Sequence, residues 1–243
     1  MIDYNLAAKT YDNTRKISDN TIMIFHKKIK FDTEKNILDF GCGTGNYLNE
    51  IQKIFSSNCF GVEPSKEMRN IAIKKNQYIC VKKGNHENIP YSNDFFDFIF
   101  MIDVIHHIPD LNQMFNELSR TLKNNKMLCI VTESYKQIEN RFYNKYFPSL
   151  IENEKKRYTD IDLIISCASR SLLKLIELQK VDNPKLTTIS KSFIRLVEEK
   201  GYSMFRQLNE NEYTKGLNDL KKECGKKTNS NGSGETLIWL KKQ

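Results

Sequence analysis

The sequence predicts an α/β domain: a doubly wound, mostly parallel sheet with helical insertions. Three observations point there. Short β-leaning apolar runs alternate with segments of helical period from residue 36 to residue 133, which implies right-handed crossovers between parallel strands. The run Phe95-Phe96-Asp97-Phe98-Ile99-Phe100-Met101 is apolar on both faces, as a central strand covered by helices must be. A glycine turn with Gly41, Gly43 and Gly45 stands between the first run and the first crossover helix, where the chain must bend sharply and a ligand can approach its backbone.

Taken in order, a helix over 18–30 opens on Ser18 or Asp19 and carries Ile22, Phe25 and Ile29 on one face. Ile37, Leu38 and Phe40 make the first strand. Tyr47, Leu48, Ile51, Ile54 and Phe55 follow at helical spacing over 46–55, so the glycine turn opens a helix whose free amides face the same place. The second strand, 58–62, ends in Glu63-Pro64-Ser65, and the helix over 65–75 turns Met68, Ile71 and Ala72 inward. Strands over 78–81, 95–101 and 126–133 come next, with Asp110 capping the helix that runs through Leu111, Met114, Phe115, Leu118 and Leu122.

Past Ser134 the alternation stops. Residues 135–158 are rich in aromatics and charges, a helix starts at 159–160, and 172–181 reads as a sixth strand. Helices are predicted over 185–200 and 211–222, with 203–208 between them. A flexible loop over 228–234 then leads into a closing strand, 235–241, holding Leu237, Ile238 and Trp239. The whole reads as one domain: an N-terminal lid and helix (1–32), a ligand-binding core (35–134), and two surplus segments (135–158 and 183–225) that cap a second site or cover the sheet.

Bulk composition narrows the class. At 243 residues, 39% hydrophobic and 28% charged, the chain suits a globular domain with a proper core. The formal charge of +8 is spread along the chain rather than gathered on one face, which argues against a nucleic-acid partner. No run reaches the length of a membrane span, and the polar start lacks the apolar core of a signal peptide, so a cytoplasmic location is expected. Six cysteines contain no C-x-x-C pair; Cys59, Cys80 and Cys129 fall in or beside strands, where a reduced thiol acts as a small hydrophobe, and neither zinc nor a disulfide framework is expected.

The turn reads D-x-G-x-G-x-G from Asp39 to Gly45. A dinucleotide fingerprint would need glycine at position 46, which is Asn46, and a P-loop would need a Lys-Ser/Thr pair. The string resembles the first motif of the class I methyltransferases that use S-adenosylmethionine, of the small-molecule, UbiE-like type. Downstream, Met101-Ile102-Asp103-Val104-Ile105-His106-His107 resembles that group's motif at the end of the fourth strand. The resemblance implies a Rossmann-like, seven-stranded fold and S-adenosylmethionine as cofactor, leaving S-adenosylhomocysteine as product.

It also implies site residues. Asp39, Gly41, Cys42, Gly43 and Gly45 would meet the amino-acid part of the cofactor, together with the backbone at Met101. Glu63, at the tip of the neighbouring strand, suits the ribose hydroxyls because a carboxylate there can accept from both; Pro64 follows it, and Met68 lies near the adenine face. Asn85 stands where such proteins usually have Asp for the exocyclic amine of adenine, and the His86 amide would meet a ring nitrogen. Tyr11 and Arg15, in a segment like the family's A-x-x-Y-D, would fold over the bound molecule.

For chemistry, the resemblance implies methyl transfer by in-line displacement to a small-molecule acceptor. His106 is the first candidate for a general base, with Asp103 and His107 behind it, since an imidazole titrates near working pH. Tyr135, Arg141 and Tyr143 are expected to line the acceptor pocket. An RNA methyltransferase of this fold would carry a Pro-Pro-Tyr type tetrapeptide where Met101-Ile102-Asp103-Val104 stands. A nicotinamide-dependent oxidoreductase fits the glycine spacing poorly, and a non-catalytic cofactor-binding relative stays open as a further alternative.

Overall fold

In the computed structural model, which describes residues 17–243, seven strands form the central sheet. They are β1 (Asn36–Phe40), β2 (Asn58–Val62), β3 (Ile79–Lys82), β4 (Phe96–Ile102), β5 (Leu122–Thr132), β6 (Leu173–Asp182) and β9 (Gly234–Lys242), while β7 (Leu186–Thr188) and β8 (Lys227–Asn229) pair separately. The order is β3-β2-β1-β4-β5-β9-β6. Neighbours from β3 through β5 are parallel, and β9 runs antiparallel to both β5 and β6, so the doubly wound, mostly parallel architecture is observed. Strand order reverses between β1 and β4. Their C-terminal ends therefore flank the crevice in which such sheets hold ligands.

Both faces are covered. On one side α1 (Asp19–Ile29), α2 (Asn46–Phe55) and α3 (Lys66–Lys75) enclose a core containing Phe25, Leu48, Phe98, Phe100 and Trp239. Phe25 packs its ring 5.4 Å from Phe98, 5.2 Å from Phe100 and 5.8 Å from Trp239, which locks α1 across the strands. Complete burial of each such side chain is worth about 1.5–3 kcal/mol. On the other side α4 (Leu111–Thr121) and α7 (Ile161–Ser169) pack Met114, Phe115, Leu118 and Ile164 against Leu38, Ile99, Met101 and Ile130. The one acid inside the β4 run, Asp97, is matched at the N-terminal end of the sheet by the Asn36 amide at 3.2 Å and Lys123 Nζ at 2.8 Å.

A third core lies outside the sheet. α5 (Tyr135–Glu139), α6 (Leu150–Arg157), α8 (Lys191–Glu198) and α9 (Glu210–Lys222), with the β7–β8 pair, form the surplus layer. Phe147, Leu150, Ile189, Val197, Phe205 and Leu220 are buried together there, so the two surplus segments of the chain pack on each other. Gly216 permits this contact: a Cβ would stand 2.4 Å from the Phe147 ring.

Several boundaries differ from expectation. β5 begins at Leu122 rather than residue 126, directly after α4. The helix expected over 185–200 starts at Lys191, because Thr187, Thr188 and Ile189 are β-branched and Ser190 caps the helix by accepting from the Phe193 amide at 3.1 Å. The loop expected over 228–234 begins as β8 and is tied down, with Ser233 Oγ donating to the Ser230 carbonyl at 2.8 Å. Cys80 is exposed on β3, an edge strand, rather than acting as a buried hydrophobe. No described helix is long and apolar enough to cross a membrane.

Candidate active site

β1 delivers the chain into a turn in which Gly41, Gly43 and Gly45 all have positive φ, at 78°, 54° and 75°. A Cβ on Gly41 would meet the Val104 side chain at 2.7 Å, so the turn lies directly against the end of β4. The amides of this turn do not stand free as the sequence suggested. Gly41 and Cys42 both donate to the Val62 carbonyl, at 2.8 and 3.2 Å, and Gly45 donates to the Cys42 carbonyl at 2.9 Å. Buried backbone donors must be satisfied; the end of β2 satisfies the first two and the turn itself the third. Gly61 on β2 makes room for the fold-back: a Cβ there would stand 2.6 Å from Cys42 Sγ.

Glu63 closes the turn from the other side. One carboxylate oxygen accepts from the Gly43 amide at 3.0 Å and the other from the Ser65 amide at 2.8 Å, with the side chain buried. Burial pushes its carboxyl above the usual range, against the pull of those two amides. Arg69 pins the turn by donating to the Glu63 and Pro64 carbonyls at 2.8 and 2.7 Å. Asp39 is also buried, and burial together with the nearby Glu63 charge raises its carboxyl well above the normal value.

The remaining expected cofactor residues are placed as follows. Met68 and Met101 are buried, so little of either side chain is open to a ligand. The Asn85 side-chain oxygen Oδ1 accepts from the Glu87 and Asn88 amides at 3.0 and 3.1 Å, which turns it into its own loop beside His86. Tyr11 and Arg15 lie outside the described residues.

Beyond the C-terminal ends of β4 and β5 the sheet and the surplus layer enclose two adjoining cavities. One, of about 330 Å³, is lined by Asp103, Glu133, Arg141, Tyr143, Glu154, Arg157 and Tyr158, among others. The second, of about 320 Å³, shares Glu133, Arg141, Phe142 and Tyr143 and adds Ser18, Asn183 and Glu235. Asp103 enters the wall through a positive φ of 56°, with its amide held by the Val131 carbonyl at 3.1 Å.

Arg141 forms the partition. Its guanidinium grips Glu133 through two hydrogen bonds of 2.6 and 2.9 Å and Glu154 through one of 2.9 Å, and it is only 7% exposed. Arg157 also donates to Glu154, at 3.0 Å. Burial raises the Glu133 carboxyl, with Arg141 opposing, and burial raises the Tyr143 and Tyr158 phenols.

Arg141 and Tyr143, expected at the acceptor pocket, line both cavities, and Asp103 lines the first. Tyr135 is not among the lining residues; its hydroxyl donates to the Tyr158 carbonyl at 3.3 Å. His106 is not among them either. It stacks on the Tyr158 ring at 4.3 Å, with the exposed His107 ring 4.0 Å away on a short 3-10 turn.

A model of a family described as "methyltransferase domain" matches residues 10–207. The chain belongs to that methyltransferase family. A demethylmenaquinone methyltransferase of Lactobacillus johnsonii is 30% identical over 107 residues, covering 41% of this chain and 44% of that protein. A norajmaline N-methyltransferase of Rauvolfia serpentina is 28% identical over 145 residues, covering 56% and 48%. The chain thus spans less than half the length of these curated relatives. Among solved structures, a protein of Anabaena variabilis described as a methyltransferase from an antibiotic biosynthesis pathway superposes with a TM-score of 0.75 at 20% identity, covering 93% of this chain and 98% of that one. At that identity the likeness speaks for the fold alone.

The family's cofactor, S-adenosylmethionine, fits the residues present. Each Glu63 oxygen accepts one amide, which leaves a lone pair on both oxygens for the two hydroxyls of a ribose. Sequence reasoning missed Glu133, Glu154, Arg157, Tyr158 and Glu235. Two could have been found. Glu133 follows the last residue of a parallel strand, as Glu63 and Asp103 do. Glu235 begins an antiparallel strand, which starts on the edge where its parallel neighbours end. Glu154 and Tyr158 lie on the surplus layer, whose docking no local pattern signals.

Proposed function

We propose that the chain transfers a methyl group from S-adenosylmethionine to a small-molecule acceptor, as a small-molecule, UbiE-like member of the methyltransferase family. The observation that carries this reading is the pair of half-open cavities beyond the ends of β4 and β5, one of them lined by Asp103, which directly precedes the Val104 side chain against which the glycine turn lies. Cavities of this size suit a small organic molecule, and their walls of packed side chains favour one over an RNA strand. The demethylmenaquinone and norajmaline methyltransferases, whose names both denote small-molecule acceptors, support the same reading.

When bound, S-adenosylmethionine supplies a methyl carbon already attached to a positive sulfur, so no leaving group has to be activated. The protein's work is binding and alignment. Glu63 holds the ribose of the adenosyl part, the glycine turn lies along the amino-acid part, and Asp103 lines the cavity beyond. Fixing the acceptor at near-attack distance can supply on the order of 7–11 kcal/mol of the barrier. Tyr143, Tyr158 and Phe142 supply aromatic faces among the charged side chains of the walls, while the surplus layer selects what enters.

Calorimetry with S-adenosylmethionine and with NAD tests the assignment. Micromolar binding of the first and none of the second is expected; the reverse, or binding of neither at millimolar levels, overturns it.

A further inference from the structure

The walls of the two cavities carry an excess of negative charge that the rest of the molecule does not explain. Among the described residues, Glu133, Glu154 and Glu235 face two cations, Arg141 and Arg157. The chain as a whole has a formal charge of +8, so an acidic chamber inside it is not a reflection of bulk composition. Both guanidinium groups are engaged: Arg141 by Glu133 and Glu154, Arg157 by Glu154 and the Ser203 hydroxyl at 2.9 Å.

Two carboxylate positions are left with capacity. Glu154 is 1% exposed, lines the first cavity, and has an Oε1 with no hydrogen-bond partner among the described residues. Glu235 lines the second cavity and makes no hydrogen bond or ion pair among the described residues. A half-buried carboxylate without a partner costs stability, so a persisting one points to a missing cation or donor. The rest of the lining is aromatic: Phe142 and Tyr143 in both cavities, Tyr158 and Phe193 in the first. Carboxylate and aromatic faces together form the environment in which an ammonium group is bound.

We propose that the methyl acceptor is a small amine with an aromatic or apolar body, its ammonium group held by Glu235 and its body packed against Phe142 and Tyr143 in the second cavity. This rests on the methyltransferase reading. The acceptor's ammonium nitrogen passes one proton to the Glu235 carboxylate and so exposes its lone pair. That lone pair forms the new N–C bond as the C–S bond of the donor breaks, and the electron pair of the broken bond stays on sulfur as a neutral thioether. The nitrogen emerges positively charged, and Glu235 returns its proton to solvent.

The surroundings of Glu235 suit this task. Burial, with Asp103 and Glu133 adding their charges, pushes its carboxyl up to about 7. Among the described residues, the other titratable or charged groups near it are Tyr47 on α2 and Arg141 and Tyr143 on the surplus layer. A base poised there changes protonation at working pH.

The test measures binding of phenethylamine, phenethyl alcohol and phenylacetate to the full chain, with S-adenosylhomocysteine present, for the parent protein and Glu235→Gln. Phenethylamine is expected to bind about tenfold or more tighter than the alcohol, the size of one charge-assisted hydrogen bond, and Glu235→Gln to abolish that preference. Carbon-13 NMR of the glutamate carboxyls supplies a second readout: one carboxyl titrating near 7 is expected to move lower when the amine is added, because a bound cation favours the carboxylate. Equal binding of amine and alcohol, preference for phenylacetate, or no amine binding beside normal S-adenosylhomocysteine binding would overturn the inference. Should Glu235→Gln fail to fold, the preference of the parent protein decides alone. Failure of S-adenosylhomocysteine itself to bind would overturn the methyltransferase reading, and this inference with it.

Discussion

Replacing Arg141 with Met is the sharpest test of how the surplus layer is fastened to the sheet. The guanidinium makes three charge-assisted hydrogen bonds, at 2.6 and 2.9 Å to Glu133 from the end of β5 and at 2.9 Å to Glu154 on α6. Arg141→Met keeps much of the side-chain volume and leaves both carboxylates without their main partner; Glu154 retains Arg157. Breaking a buried pair in this way costs about 3–5 kcal/mol, a large part of the roughly 5–15 kcal/mol that stabilises a domain. Urea unfolding at pH 7, analysed by linear extrapolation, measures the loss.

The same variant makes a signed pH prediction. Burial already raises the Glu133 carboxyl against the pull of Arg141, so without Arg141 its folded-state value rises further above the unfolded value of about 4.3. The folded state then binds more protons than the unfolded one across that interval, so the variant regains stability relative to the parent as the pH falls from 7 towards 5. Arg141→Met with Glu154→Gln is expected to lose less than Arg141→Met alone, because one uncompensated charge is gone. A loss below about 1 kcal/mol at pH 7, or a deficit that does not shrink on acidification, would refute the claim that Arg141 is a buried structural clasp.

Glu63→Gln presents one of the Gly43 and Ser65 amides with an NH2 group instead of an acceptor, so S-adenosylmethionine affinity is expected to fall about 10- to 100-fold by calorimetry; a change under threefold would remove Glu63 from the ribose site. His106→Ala is expected to leave cofactor affinity unchanged and kcat within about tenfold, since His106 stacks on Tyr158 without lining either cavity, and a loss of 100-fold or more would restore it as the base. Hydrogen exchange over 135–158 and 183–225 is expected to slow when S-adenosylhomocysteine and an acceptor bind together; unchanged protection of both segments would count against a substrate cap.

The strands, the crossovers and the glycine turn were legible because each is a local pattern. Ile37, Leu38 and Phe40 can only be a short buried strand when glycines follow so closely, and Phe96 to Met101 is apolar on both faces because both faces are covered. Glu63 was legible for the same reason, since a strand end places its next side chain at a known edge of the sheet. The turn amides were misjudged. Glycine spacing shows that the chain bends there, but not that the Val62 carbonyl lies within reach to accept from Gly41 and Cys42.

What the sequence determined by itself is the alternating architecture and the place on the sheet edge where a ligand belongs, because period, turn chemistry and strand polarity act over a few residues. The two cavities were decided only by tertiary structure. Asp103, Glu133, Arg141, Glu154 and Glu235 come from five separate stretches of chain, and their meeting depends on a surplus layer with its own hydrophobic core docking against the ends of β4, β5 and β9. Which carboxylate is clasped by Arg141, and that Glu235 makes no ion pair among the described residues, follows from that docking geometry, because ion pairing is set by distances in space that spacing along the chain does not encode.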